Sequence, residues 1–75
     1  MIDPECFDGL VVIVQSGVLK GISGIARVDH DSHNGKPIKV SFANGKRRNY
    51  GISQISVAEK HRKKFLNRIR NSQRV

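Results

Sequence analysis

Residues 13–28 read IVQSGVLKGISGIARV, with three glycines and one lysine set between two apolar runs. How this stretch folds decides the rest of the chain. Upstream, residues 10–15 (LVVIVQ) are β-branched and predict a strand. Downstream, residues 24–30 (GIARVDH) alternate Ile25, Arg27 and Asp29 against Ala26, Val28 and His30, which predicts a second strand. Residues 16–23 form the loop between them. Gly17, Gly21 and Gly24 open backbone angles closed to other residues, so this loop turns back tightly. A glycine at the start of the second strand suits a bulge or a close backbone approach.

The same reading extends outward. Residues 31–36 (DSHNGK) are turn-rich, and Asn34-Gly35 readily takes positive φ. In IKVSF (38–42), Ile38, Val40 and Phe42 share one face, with Lys39 and Ser41 on the other. A second Asn-Gly turn, ANGK, leads into a strand at 47–50. Ile52 and residues 55–57 complete the set after one 3₁₀ turn. Five short strands with tight turns predict a mainly β fold, a small five-stranded barrel over residues 9–57, closed so that no edge is left bare. Residues 1–8 are expected to be an N-terminal extension and residues 58–75 a basic C-terminal α-helix and tail. Ser56 is the expected helix cap, with Glu59 completing a capping box and the helix running from 58 to 71. Ala58, His61, Phe65 and Ile69 make a narrow apolar stripe flanked by Leu66.

Seventy-five residues make one domain at most, and a chain of this size buries only about 60% of its unfolded surface. The single cysteine, Cys6, rules out an intrachain disulfide. The longest apolar run, residues 10–14, is too short to cross a bilayer. The acidic opening MIDPECFDG has no signal-peptide pattern, so a soluble, cytoplasmic protein is expected, and nucleoid or ribosome association would go with a nucleic-acid partner. Charge is unevenly divided. Residues 1–35 carry two bases and five acids, a net of −3. Residues 36–75 carry twelve bases and one acid, a net of +11, giving the total of +8. Such a field attracts polyanions, nucleic acid first and anionic lipid second. The narrow apolar stripe argues against a membrane-surface role.

From Gly9 the chain reads GLVVIVQSGVLKGISGIARV. This resembles the KOW motif of certain ribosomal proteins and of NusG-type transcription elongation factors. The matching pieces are the V-x-V strand at Val12 and Val14, the turn Ser16-Gly17, the loop Lys20-Gly21-Ile22-Ser23-Gly24, and the strand at Ala26 and Val28. Residues 40–55 fit the remaining strands of such an SH3-like barrel more loosely. The resemblance implies nucleic-acid or ribonucleoprotein binding in transcription or translation. One departure stands out: ribosomal members carry lysines in this loop, whereas here Val18, Leu19 and Ile22 leave only Lys20. Two readings stay open. The apolar loop docks on a protein, as in the NusG type, or it folds down to seal the barrel; sealing is favoured in a core this small.

Two basic clusters are the expected nucleic-acid contacts. Lys46, Arg47 and Arg48 sit at a hairpin tip beside Tyr50, placed either to stack on a base or, by preference, half-buried in the barrel. Lys60, Arg62, Lys63, Lys64, Arg68 and Arg70 cover about three helical turns, and like charges this dense repel unless a polyanion relieves them. Asp29, His30, Asp31 and His33 are a weak metal pattern, better read as a surface loop. Cys6 lacks an oriented partner for nucleophilic catalysis. No cofactor or metal is expected. The expectation is a non-catalytic protein binding DNA or RNA mainly through phosphates, with low sequence specificity, linked to transcription, translation or nucleoid organisation. The alternative is an adaptor whose loop (Val18, Leu19, Lys20, Ile22) binds a polymerase or ribosomal protein. A tiny oligomeric enzyme, with a site on a symmetry axis, has no polar constellation to support it.

Overall fold

In the computed structural model, residues 2–32 and 35–72 are described. The elements follow the alternation of the sequence. Strand β1 is Val11–Val14, β2 Ser23–Val28, β3 Ile38–Ser41, β4 Arg47–Tyr50 and β5 Ile55–Val57, and helix α1 is Arg62–Ser72. Short 3₁₀ turns stand at Pro4–Phe7, Ile52–Gln54 and Glu59–His61. All pairings are antiparallel, in the order β4-β3-β2-β1-β5. The expected closure is not seen, because no ladder joins β4 to β5 among the described residues. The sheet is open. Its β4 edge carries Arg47 and Arg48, charges of the kind that discourage edge-to-edge pairing.

Period-2 alternation builds the core. Val12 and Val14 of β1, Ala26 of β2, and Ile38 and Val40 of β3 are all fully buried. Phe42, Tyr50 and Ile55 close around them. Residues 2–8, expected as an extension, contribute to this core as well: Cys6 and Phe7 are both buried. Asp3 caps the first 3₁₀ turn, its carboxylate accepting from the Glu5 N–H at 3.0 Å, and Pro4 occupies the first turn position, where no N–H is needed. The turn drops Phe7 onto Phe65 of α1, with ring centroids 4.7 Å apart. Burying a side chain of that size stabilises by about 1.5–3 kcal/mol.

The helix starts later than expected, and for a different reason. Ser56 is no cap. It pairs with Ile13 across the β1–β5 ladder, and its hydroxyl accepts from Gln15 Nε2 at 2.8 Å. The backbone stays extended through Ala58, whose N–H donates to the Val11 carbonyl. A tight 3₁₀ turn then brings round His61, whose Nδ1 accepts the Val11 N–H at 2.9 Å. His61 therefore supplies the acceptor that a longer β5 would otherwise have supplied, and α1 begins at the next residue. Among the described residues, no helix is long and apolar enough to cross a membrane.

Candidate nucleic-acid interface

The β3–β4 connection is set by backbone chemistry. The Gly45 N–H donates to the Phe42 carbonyl at 3.0 Å, and the Phe42 N–H donates to the Lys46 carbonyl at 2.9 Å. Gly45 takes φ +83°, and Asn44 Oδ1 accepts from the Lys46 N–H at 3.0 Å. A three-residue turn with glycine in the left-handed position is a favoured hairpin closure. It throws Lys46, Arg47 and Arg48 to the surface, and all three are exposed.

Tyr50 behaves differently. It lies opposite Ile38 in the β3–β4 register and is only 7% exposed, so its ring is core and unavailable for stacking on a base. Arg48, two residues earlier, lies opposite the buried Val40 and belongs to the same face as Tyr50. An exposed arginine at a core-face position marks an opening at the rim of the core, while Val40 opposite it stays fully buried.

What borders that opening is the glycine-spaced loop. Gly17 and Gly21 take φ +84° and +89°. The Gly21 N–H donates to the Val14 carbonyl and the Val14 N–H to the Ile22 carbonyl, which folds residues 15–22 back on β1. The expected sealing is only partial. Leu19 packs against the core, but Val18 is 91% exposed and Ile22 46%. The reason is geometric: the turn directs Leu19 inward and leaves Val18 at its apex. Lys20 is exposed beside it. Leu19, Ile22 and Phe42 line a groove of about 440 Å³ together with Asn44, Lys46, Arg47 and Arg48. Loop and hairpin, separate in sequence, thus share one surface. Gly24 makes this possible. A Cβ there would stand 2.6 Å from the Ser41 carbonyl oxygen, 2.6 Å from Val40 Cγ1 and 3.2 Å from Phe42 Cδ1.

The helix cluster lies elsewhere. His61 joins α1 to Val11 at the start of β1, whereas the groove adjoins the loop leaving the other end of that strand. Lys60, Arg62, Lys63, Lys64 and Arg70 are exposed. Arg68 is not free to track a phosphate as expected: its Nη1 donates to the Asp8 carbonyl at 2.6 Å and the Cys6 carbonyl at 3.3 Å. It faces inward with His61 and Phe65, and fastens the helix to the N-terminal turn. The signal for this lay in its spacing, three positions after Phe65 and seven after His61.

Elsewhere three acids face partners of their own. Asp29 accepts from Asn49 Nδ2 at 2.8 Å and from the Asp31 N–H at 3.1 Å, with Lys39 Nζ at 3.8 Å. The Asn49 bond, then the Asp31 N–H, hold its carboxyl below the ordinary carboxylate value. Asp8 faces Arg27 at 3.7 Å and Glu5 faces His30 at 3.5 Å. Among the described residues, no three His, Cys, Asp or Glu side chains gather as a metal site, and His33 of the metal pattern lies outside those residues, as does Asn34 of the first Asn-Gly turn. Among the described residues, none of the ion pairs involves a base of the hairpin or of α1. Comparison with protein-family models, with curated proteins and with solved structures gave no match.

Proposed function

We propose that this chain is a non-catalytic nucleic-acid-binding protein on an SH3-like, KOW-type scaffold, holding DNA or RNA mainly by its phosphates. Its setting is transcription, translation or nucleoid organisation in the cytoplasm. One observation carries the reading: Lys46, Arg47, Arg48, Lys60, Arg62, Lys63, Lys64 and Arg70 are all exposed, and among the described residues none has a carboxylate partner. Cations left without counter-charges repel one another, and a polyanion relieves that repulsion while releasing its own counterions. Phosphate contacts alone confer little sequence preference.

The test is a gel-shift or filter-binding series over rising salt. Neutralising about five to eight duplex phosphates predicts an affinity loss of roughly 500- to 20,000-fold between about 50 and 200 mM salt. Binding of both duplex DNA and RNA weaker than about 10⁻⁴ M at low salt refutes the proposal.

The adaptor reading draws on the exposure of Val18 at the loop apex. There the loop docks on a polymerase or ribosomal protein and the bases are auxiliary. A partner retained after nuclease treatment, and lost on Val18→Asp, favours it. Val18 is a better probe than Leu19, which also packs against the core.

A further inference from the structure

We infer that the groove between the loop at 15–22 and the β3–β4 turn receives an unpaired base of a single-stranded nucleic acid, while Lys46, Arg47 and Arg48 hold its phosphates. The inference rests on the nucleic-acid reading above and narrows it to one form of the polymer.

The groove has two unlike sides. Its apolar lining is Leu19 and Ile22 above the buried Phe42, and its polar lining is Asn44, Lys46, Arg47 and Arg48, with no carboxylate among the lining residues. A duplex surface presents phosphates and would leave the apolar floor empty. A single strand presents beside every phosphate a flat base whose faces, unlike its polar edges, pack on apolar surface, which matches both sides at once. The volume, about 440 Å³, lies within the roughly 300–1,000 Å³ of clefts that enclose small flat ligands. Arg48 is suited to such a base: it lies on the core face opposite Val40 and lines the groove, and a planar guanidinium can stack on a base. An acidic, partly apolar peptide is the nearest competitor in charge. The exposed bases of α1, at the far end of β1, favour a polymer of regular charge that continues past the groove.

The experiment is fluorescence anisotropy on the full chain at fixed low salt. The probes are an oligothymidylate of about twelve nucleotides, within the roughly 4–16 that one small OB module covers, its oligouridylate counterpart, an abasic strand of equal length, and a duplex. A polyglutamate peptide of equal charge is the fifth probe. One base held against Leu19 and Ile22, with an arginine of the hairpin on its other side, predicts binding of oligothymidylate or oligouridylate about tenfold tighter than the abasic strand. Whichever of the two binds tighter identifies the polymer. Ile22→Ser, at a half-exposed position, is expected to erase that tenfold difference and leave duplex binding unchanged. Equal binding of the abasic and base-bearing strands overturns the groove assignment while the phosphate reading stands. Absence of binding to every nucleic acid overturns both. Polyglutamate binding as tight as that of the single strands overturns the choice of nucleic acid as occupant.

Discussion

Gly24→Ala is the most exacting test of the fold, because space alone forbids the added methyl. The residue sits in regular strand geometry at the start of β2, outside the glycines of positive φ. Its Cβ would meet the Ser41 carbonyl oxygen and Val40 Cγ1, each at 2.6 Å. The oxygen belongs to the β2–β3 ladder, where Ser41 pairs with Ile25, so it cannot retreat without parting the strands. Val40 is fully buried, and its β-branched side chain is stiff at χ1. Overpacking of this kind costs about 1–3 kcal/mol. Removing a glycine from the unfolded chain offsets about 0.4–1 kcal/mol of that. The balance is a loss of up to about 2.6 kcal/mol, centred on about 1.3, or roughly 5–10 °C in Tm for a domain this small. Thermal unfolding followed by far-UV circular dichroism measures it. The methyl also stands 3.2 Å from Phe42 Cδ1, so the groove floor shifts with it, and binding of single strands should weaken alongside stability. A Gly24→Ala protein melting at or above the parent temperature would show that β2 and β3 do not approach as described.

Three further outcomes follow from particular contacts. His61→Ala leaves the Val11 N–H without its acceptor and should cost about 1–3 kcal/mol in urea unfolding, with faster amide exchange at Val11; unchanged exchange there would contradict the contact. Asp29 is held below its ordinary value by Asn49, so its contribution is complete above the ordinary carboxylate range and fades as pH falls through the lowered folded value. Asn49→Ala should therefore flatten the acid side of a Tm-against-pH curve, and an unaltered curve refutes the assignment. Lys63→Gln combined with Lys64→Gln should lower the salt slope for duplex binding by about two units if both meet phosphates, with Tm held near the parent because both side chains are exposed.

Much of the sheet was legible because its signal is local. Alternation in IKVSF located β3, Asn44-Gly45 placed the hairpin, and the short strand at Ile55–Val57 emerged after its 3₁₀ turn. What escaped was decided by contacts between distant positions. MIDPECFDG carries no hydrophobic period, yet Phe7 is buried because Phe65 arrives from the other end of the chain. The pair Asp3-Pro4, a cap followed by a residue suited to the first turn, was the available hint. Ser56 looks like a helix cap in isolation, but pairing with Ile13 holds it extended. Arg68 reads as one more surface base until the carbonyls of Cys6 and Asp8 are set beside it. The groove was half visible: loop and hairpin were each singled out, but their meeting depends on how closely β2 and β3 approach at Gly24. Closure of the barrel, inferred from strand count, depended on a β4–β5 pairing that strand count does not specify.

The fastening of α1 has an asymmetry with a lasting effect. His61 and Arg68 act through their side chains, but the groups they grip are the amide of Val11 and the carbonyls of Cys6 and Asp8. Those main-chain atoms persist whatever residues occupy positions 8 and 11, proline at 11 excepted. Over generations positions 8 and 11 can therefore change their lettering without matched changes in the helix, whereas Phe7, which meets Phe65 through its ring, cannot. A library randomised at 8 and 11 should keep the helix seated far more often than one randomised at 61 and 68.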